Sequence, residues 1–263
     1  MSLARTAGKL LFVGLDRMAP VPGAPRVLIY HQVGSGLGRQ MEVTIADFAG
    51  QLDWIEQNRE VVSFDEAVAR WDEPGADRLV ALTFDDGYAD TFTTAFPMLV
   101  DKGFPFLVYL ATEPIETGRP LGPQVGADPL TWDQIVGMLG SGLATIGAHT
   151  HRHTDLRDLP LDAVEEELGL CDELIERRLG IHARHFAYPW GYWSESAARL
   201  VDARYETAVI AATPTPGKRL DRFKIHRYPV QLSDGLRFFP ARLRGGLRFE
   251  ERARRRLKGY SGP

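Results

Sequence analysis

The feature that most constrains the fold is a regular alternation of short apolar runs with longer amphipathic segments, from about residue 26 to residue 230. This pattern is typical of βα units, whose parallel strands are buried on both faces. The predicted strands are Arg26–Tyr30, Leu79–Phe84, Phe106–Leu110, Thr145–Ala148, His185–Tyr188, Thr207–Ile210 and Lys224–Val230. Seven such strands with helices between them suit a barrel.

Apolar residues at helical spacing predict the helices between the strands. Ala46–Gln57 and Leu161–Leu179 each carry one apolar face, and Gly180 is suited to end the second of these helices. Capping-box patterns at Ser63–Glu66 and Thr131–Gln134 predict the starts of two more helices, the first of which would continue through Trp71. The segment Glu113–Pro129, rich in proline and glycine, is predicted to be a loop.

Composition excludes several classes of function. The 31 Lys and Arg residues against 35 Asp and Glu residues give a net charge of −4, so no basic field is present to bind nucleic acid or anionic lipid. Cys171 is the one cysteine in the chain, which excludes an internal disulfide and a cysteine-rich zinc or iron–sulfur site. Any metal site must therefore use histidine and carboxylate ligands.

The two ends of the chain differ from the alternating region. The apolar run at 10–15 is too short for a secretion signal, so we expect a helix docked on the domain and a cytoplasmic protein. No stretch has the length of uncharged apolar sequence that a transmembrane helix needs. We predict a single domain over 1–263, with a core at about 26–232 and an arginine-rich extension at 233–263. That extension is either a solvated surface helix or a patch for an anionic partner.

Two adjacent carboxylates follow a predicted strand. Asp85 and Asp86 come directly after Leu79–Phe84, at the position where α/β proteins place their active sites. Acidic residues in a turn often only cap the next helix. A strand end holds carboxylates more firmly than a free loop does, which favours a functional role for this pair.

Three histidines fall within five residues after Thr145–Ala148. A lone histidine is more often structural, but His149 and His153 have three residues between them, which is a spacing found in paired imidazole ligands. One carboxylate from the aspartate pair would complete a His2Asp set. Three protein ligands with one position left for water are typical of a catalytic zinc-type site.

Two more segments could contribute to the same site. The strand from His185 runs into an aromatic turn, in which a backbone N–H could donate to an oxyanion and a ring could stack on a sugar. Packing of that turn on the core is an equally good interpretation. His31 directly follows Arg26–Tyr30, and a histidine at a strand end is suited to protonating a leaving group.

Taken together, these segments resemble the polysaccharide deacetylase family, also called the NodB homology or carbohydrate esterase 4 family. Thr83–Gly87 (TFDDG) is similar to the motif whose first Asp is the general base and whose second Asp binds the metal. The resemblance therefore implies that Asp85 is the base and Asp86 a metal ligand. His149–His153 is similar to the H-[ST]-x-x-H motif, which implies that its two outer histidines are metal ligands.

The resemblance extends to the aromatic turn. Phe186–Gly191 is similar to the third motif of the family, which lines the substrate groove and supplies a backbone amide to the oxyanion. By this resemblance the amide is that of Trp190, and Tyr188, Pro189 and Tyr88 are expected along the groove. The permuted branch that resembles the poly-N-acetylglucosamine deacetylases shares this version of the motif.

Two features depart from the common family pattern. Ala187 stands where the family carries an arginine that orients the catalytic aspartate, and Arg184 and Arg227 are the candidate substitutes.

The catalytic-acid histidine is the second departure. In the common family pattern this histidine lies near the C-terminus, where this chain has His226 in a different sequence context. The permuted branch instead begins with a strand that ends in Tyr-His, and the first predicted strand of this chain is likewise followed through Tyr30 to His31. We favour His31 over His226 because the end of a groove-side strand gives the geometry that acid catalysis needs.

The resemblance implies a distorted (β/α)7 barrel and a metal-dependent hydrolase that removes N-acetyl groups from a saccharide. One divalent metal is expected, with zinc favoured by the ligand types and nickel, cobalt or iron as alternatives. The alternatives left open are a deacylase for another amide or an O-acetyl ester, and a non-catalytic carbohydrate-binding relative. A glycosidase is disfavoured because its two carboxylates must flank a bond rather than stand next to each other.

Overall fold

The computed structural model describes residues 8–13, 23–121, 127–212, 220–245, 247 and 249–250. Its main sheet is parallel, with the strands in the spatial order β10-β9-β8-β7-β6-β5-β1-β11, and β4 pairs with β5 beside this path. A two-stranded sheet is formed by β2 and β3. The strands are β1 (Arg26–Tyr30), β2 (Gln32–Val33), β3 (Glu42–Val43), β4 (Glu60–Val61), β5 (Leu79–Phe84), β6 (Phe106–Leu110), β7 (Ala144–Ala148), β8 (His185–Ala187), β9 (Thr207–Ile210), β10 (Ile225–His226) and β11 (Tyr228–Pro229).

The two ends of the sheet are one residue apart in the chain. β10 pairs with β9 and β11 pairs with β1, and Arg227 lies between them. The sheet is therefore a nearly closed barrel of the expected distorted (β/α)7 type. The prediction of one continuous strand over Lys224–Val230 was wrong, because this segment must change neighbours to close the barrel and is interrupted where it does so.

The helices surround the barrel. They are α1 (8–13), α2 (Ile45–Asn58), α3 (Phe64–Ala69), α4 (Phe96–Asp101), α5 (Thr112–Thr117), α6 (Trp132–Gly140), α7 (Leu161–Leu179), α8 (Glu195–Arg204) and α9 (Gly235–Gly245). The capping box of Thr131 and Gln134 is complete, and α7 ends at Gly180 with a φ of 68°. Ser63 caps α3 as predicted, but this helix ends before Trp71.

One predicted loop contains a helix. α5 occupies the first part of Glu113–Pro129, and residues 122–126 of that segment lie outside the described residues. Pro114 is compatible with this helix because it stands in the first turn, where a backbone N–H has no intrahelical partner. Gly118, with a φ of 66°, then ends the helix in the left-handed region.

Side-chain alternation along the strands divides the core into two layers. Outward-facing residues such as Leu28, Leu82 and Val108 belong to the layer that packs against the helices. Inward-facing residues form a second cluster with Phe64 and Val68 of α3. Because β4 pairs with the first residues of β5, α3 closes the end of the barrel at which the strands begin. The candidate active site lies at the opposite end, where the strands finish.

The described helices near the two ends of the chain, α1 and α9, pack on the domain. Lys9 of α1 is buried and forms an ion pair with Asp234, which also binds Arg242 of α9 at 2.8 Å. The docked N-terminal helix is thereby confirmed for residues 8–13. Phe239 of α9 packs edge-on against Trp54 of α2, with 6.0 Å between ring centroids. The arginines at 252 and 254–256 lie outside the described residues.

Within the described ranges, no helix combines the length and the hydropathy that crossing a membrane requires.

Candidate active site

Three predicted ligands meet at the carboxyl end of the barrel. The Nε2 atoms of His149 and His153 each lie 3.2 Å from Oδ1 of Asp86. One ligand atom from each of the three residues lies within 4.8 Å of the others, and Asp86 and His149 are buried. β5 and β7 position these residues, since Asp86 follows the end of one strand and His149 the end of the other.

The ring of His149 is held in one orientation. Its Nδ1 lies 2.7 Å from the carbonyl oxygen of Ala187, the last residue of β8. An Nδ1–H that donates to this carbonyl leaves the lone pair of Nε2 directed at Asp86, which is the arrangement usual for metal-bound imidazole. Burial alone would lower the pKa of His149, but its contact with Asp86 raises it above the ordinary value.

The donor set fits a divalent cation. Oδ1 of Asp86 is buried, and within the described part of the chain it has no hydrogen-bond partner of acceptable geometry, although both histidines contact it. Burial would raise the pKa of Asp86, but His153 and His149 hold it well below the usual value, so the carboxylate is ionised. An anionic oxygen and two imidazole nitrogens that converge in this way form a three-ligand set of the kind that holds catalytic zinc.

Backbone strain is concentrated around the same residues. Four residues other than glycine have positive φ here, with values of 75° at Asp86, 65° at Thr150, 58° at His153 and 61° at Trp190. Leu247 is the other such residue in the described part of the chain. Each such conformation costs on the order of 1–3 kcal/mol and tends to be retained at functional sites. The strain therefore marks the same location as the ligand geometry.

Asp85 is held by a buried arginine. Arg227 Nη1 and Nη2 donate to the two carboxylate oxygens of Asp85, both at 2.6 Å, and Nη1 also donates to Thr83 Oγ1 at 2.9 Å. Burial would raise the pKa of Asp85, but Arg227 lowers it below the ordinary value. Of the two arginines that sequence analysis named, Arg227 is the one placed to orient this carboxylate.

Arg184 lies at the other end of the barrel. It precedes the first residue of β8, and its guanidinium contacts Asp65 and Glu206, the latter at 3.2 Å. The structure therefore does not bring Arg184 to Asp85, and the prediction that Arg184 could orient this carboxylate was wrong. In a parallel sheet all strands begin at one end and finish at the other. Arg184 lies where the strands begin, whereas Asp85 lies where they finish.

The two candidate acid histidines have different surroundings. His31 follows β1 and interacts electrostatically with Asp85 and Asp86, and its buried Nδ1 has no hydrogen-bond partner among the described residues. Burial lowers the pKa of this ring. His226 instead has its Nδ1 3.1 Å from the carbonyl oxygen of Ala212, in the loop after β9. The structure thus brings His31, rather than His226, to the aspartate pair.

The aromatic turn after β8 reaches the histidine ligands through Trp190. Its ring centroid is 5.0 Å from that of His153, and the residue is 56% exposed, so one part of the ring faces solvent. The turn is closed by the amides of Gly191 and Tyr192, which donate to Tyr188 and Pro189, and the Trp190 amide takes part in neither bond.

The two predicted groove tyrosines are both buried. Tyr188 packs edge-on against Phe186 at 5.1 Å in the layer between barrel and helices, so the prediction that it lines a groove was wrong. Its place in the alternation, two residues after Phe186, explains this outcome. Tyr88 lies close to the ligands, because it forms a hydrogen bond with Asp86 that contributes, after burial, to a raised pKa of its hydroxyl.

Sequence analysis missed one residue of the site. Tyr109 in β6 lies beside Arg227, with 5.2 Å between its ring centroid and Cζ of the arginine guanidinium. A Cβ at Gly147 would come within 2.6 Å of the Tyr109 ring, so the glycine of the neighbouring strand is what makes room for it. The signal was available in β6, where residue 109 shares a face with Leu107 and therefore faces the barrel interior.

Comparisons with known proteins agree with this geometry. The family model described as polysaccharide deacetylase matches residues 72–208, just over half of the chain. A relative from Bacillus subtilis (strain 168), named "Putative polysaccharide deacetylase YxkH", is 23% identical over 219 residues, which cover 82% of this chain and 74% of the relative.

Solved structures share the fold. The structure of IcaB from Ammonifex degensii aligns with a TM-score of 0.71 and 26% identity, covering 85% of this chain and 97% of that one. The Streptococcus pyogenes deacetylase PplD, solved in complex with acetate, aligns with a TM-score of 0.70 and 19% identity, covering 84% and 97% of the two chains. The second likeness is a likeness of fold alone.

Proposed function

Because the chain belongs to the polysaccharide deacetylase family, we propose that it is a metal-dependent hydrolase that removes N-acetyl groups from a saccharide. The observation that carries this proposal is the convergence of Asp86, His149 and His153 beside an ionised Asp85. A base next to a cation site is an arrangement by which enzymes activate water for attack on an amide.

Asp86, His149 and His153 would hold the metal, for which zinc suits the ligand types best, and the bound ion supplies Lewis acidity toward water and an acyl carbonyl. Asp85 takes the proton of the attacking water as the new bond forms between the water oxygen and the acyl carbon. Arg227 keeps this carboxylate ionised and fixed in orientation. A base whose rotamer is fixed in this way needs no reorganisation before the reaction.

Two further groups complete the reaction. The Trp190 amide donates to the oxyanion that develops on the acyl oxygen. When the C–N bond breaks, His31 gives a proton to the leaving amine, and the products are acetate and a free amino sugar. Because burial lowers the pKa of His31, its protonated form donates its proton more readily than an ordinary imidazolium does. The proton on Asp85 then returns to His31 through solvent.

The first test is metal content by elemental analysis, with His149→Ala beside the wild type, followed by acetate release from N-acetylglucosamine oligomers. We expect about one equivalent of metal in the wild type, its loss in the variant, and acetate release that a chelator abolishes. Metal without acetate would transfer the proposal to another amide or an ester, or to carbohydrate binding. Wild-type protein that binds no metal would contradict the mechanism.

The role of Asp85 is tested by Asp85→Asn. The amide keeps the shape of the side chain but cannot accept a proton from water, so the variant should retain its metal while turnover falls by about 10²–10⁴-fold. Metal content and turnover are measured on the same preparation. Unchanged turnover would exclude Asp85 as the base.

The choice of acid is tested with a matched pair, His31→Asn and His226→Asn. We expect turnover to fall by about 10²–10⁴-fold in the first variant, since only His31 lies beside the aspartate pair, and by much less in the second. Substrates with better leaving groups should rescue His31→Asn, because a good leaving group needs no proton. The opposite ranking of the two variants would reassign the acid to His226.

A further inference from the structure

The turn between the two histidine ligands is bound to a buried carboxylate of α7. Glu167 accepts the backbone N–H of Arg152 at 2.8 Å on Oε2 and the Arg152 guanidinium at 2.8 Å on Oε1. The main-chain oxygen of Glu167 also accepts the N–H of His151 at 3.1 Å. One helix residue therefore holds two successive residues of the turn at three points.

A second helix holds the other side of the same turn. At the start of α5 the N–H of Thr112 donates to the Thr150 carbonyl at 3.3 Å, and the N–H of Glu113 donates to the His151 carbonyl at 2.8 Å. These are first-turn amides, which have no partner within their own helix. The turn is thus clasped between α5 and α7 through its backbone.

Glu167 is an unusual residue for its place in the fold. It is only 3% exposed, and its neighbours on the buried face of α7, which include Val164, Leu168 and Cys171, are apolar. A buried carboxylate is costly unless it is paired and hydrogen-bonded. Within the part of the chain that the structure describes, the hydrogen bonds of the Glu167 side chain both come from Arg152, so the carboxylate serves the turn rather than the packing of the helix.

The turn needs such support because its backbone is strained at both ends. Thr150 and His153 have positive φ, and these two residues bracket the pair that Glu167 holds. A conformation of this kind persists only where its surroundings over-determine it. If the turn relaxed, the ring of His153 would move away from Asp86 while His149 stayed fixed on Ala187.

We propose that Glu167 is a positioning residue that sets the placement of His153 relative to His149 and thereby the affinity of the site for its metal. The proposal rests on the metal-dependent function proposed above and deepens it. Glu167 is not one of the three proposed ligands, and its bonds to the turn go to His151 and Arg152, which lie between the two histidines of the cluster.

The test measures metal affinity of stripped protein by competition with a chromogenic zinc chelator, in wild type, Glu167→Gln and Glu167→Ala. We expect the dissociation constant for zinc to rise by roughly 10-fold or more, as is typical when a support of a metal ligand is lost. Glu166→Gln is the matched control, because Glu166 also contacts Arg152, at 3.0 Å, but its side chain is 58% exposed. The control should bind zinc as the wild type does.

Arg152→Ala separates positioning from simple electrostatics. Removal of a positive charge near the site should tighten cation binding if charge alone matters. If the Glu167–Arg152 contact positions the turn, zinc binding should instead weaken. The direction in which the dissociation constant changes therefore distinguishes a positioning role from a purely electrostatic effect. This variant leaves the sequence of α7 unchanged.

The outcomes are distinct. A wild type that binds no zinc contradicts the proposed function itself. A wild type that binds zinc, together with Glu167 variants of unchanged affinity, overturns this inference alone, even if those variants melt at a lower temperature. Tighter binding by Arg152→Ala overturns it as well. Weaker zinc binding in both Glu167→Gln and Arg152→Ala, with turnover restored at high zinc, supports it.

Discussion

The two ends of the barrel contain the same pair of residue types in the same contact. At the carboxyl end of the strands, His149 Nε2 lies 3.2 Å from a carboxylate oxygen of Asp86. At the opposite end, His185 Nε2 lies 3.2 Å from a carboxylate oxygen of Asp65. A histidine–aspartate contact therefore does not by itself distinguish a reactive site from a structural one.

The difference lies in what surrounds each pair. The Asp86 side chain is 5% exposed and meets a second histidine, on a strained backbone. The Asp65 side chain is 43% exposed and also contacts Arg184, while the ring of His185 is covered by Phe64 of α3 at 5.0 Å. Among the described residues, only the first pair belongs to a group that could hold a metal. Burial and convergence, rather than residue type, make the site.

The largest expected effect is a difference in activity between variants of Asp86 and of Asp65. Asp86→Ala removes one of the three proposed metal ligands and should lower the proposed acetate release by about 10⁴-fold, the order of loss found when an essential member of a catalytic set is removed. Asp65→Ala should leave the rate within about twofold, since surface substitutions remote from a site have small effects. Acetate release by both variants checks this, and comparable losses would show that the two ends are not functionally distinct.

The next effect compares the two arginines by stability. Arg227→Met leaves Asp85 buried without its partner, which should lower the free energy of unfolding by about 3–5 kcal/mol. Arg184→Met breaks exposed ion pairs and should cost at most about 1 kcal/mol. Urea unfolding of metal-stripped protein measures both. A small loss in Arg227→Met would mean that the buried pair does not stabilise the barrel.

The smallest effect concerns pH at the closed end. Burial lowers the pKa of His185, so below about pH 6.5 the unfolded chain binds a proton there that the folded protein does not. Stability from this group is complete above that pH and is lost as the pH falls, by at most about 1.4 kcal/mol per pH unit.

His185→Gln should therefore lose less unfolding free energy than the wild type between about pH 7.5 and about pH 5.5, a range that spans the ordinary histidine value. Urea unfolding at the two values gives the comparison. Parallel pH profiles for the two proteins would show that His185 is not a source of acid sensitivity.

Local sequence was sufficient to predict the strands themselves, because the bounds of a buried strand depend on its own residues. Leu79–Phe84, Phe106–Leu110 and Thr207–Ile210 are strands with the predicted bounds, because continuous apolar runs fit strands covered on both faces. The cluster of Asp86, His149 and His153 was also predictable, since its motifs stand at strand ends. The cytoplasmic location and the domain boundary at residue 233 stay predictions.

Features that depend on two distant segments were harder to predict. Which arginine reaches Asp85 depends on which strand closes the barrel and at which end, and Ala187 gave no local indication of this. Tyr188 was placed in the groove on the strength of its motif, whereas the two-residue period of its strand directs it outward. In both cases the deciding information is the face or the end of a strand, not the residue type.

The position of Arg227 ties catalytic competence to the last step of barrel assembly. Chain order places both aspartates at 85–86 and the two histidines of the cluster by residue 153, and Ala187, whose carbonyl orients the His149 ring, follows in β8. Arg227, which orients Asp85, follows more than seventy residues after His153, between the two strands that close the barrel. The three candidate metal ligands are therefore synthesised before the segment that closes the barrel, whereas Asp85 gains its orienting arginine only when that segment has paired at both edges of the sheet.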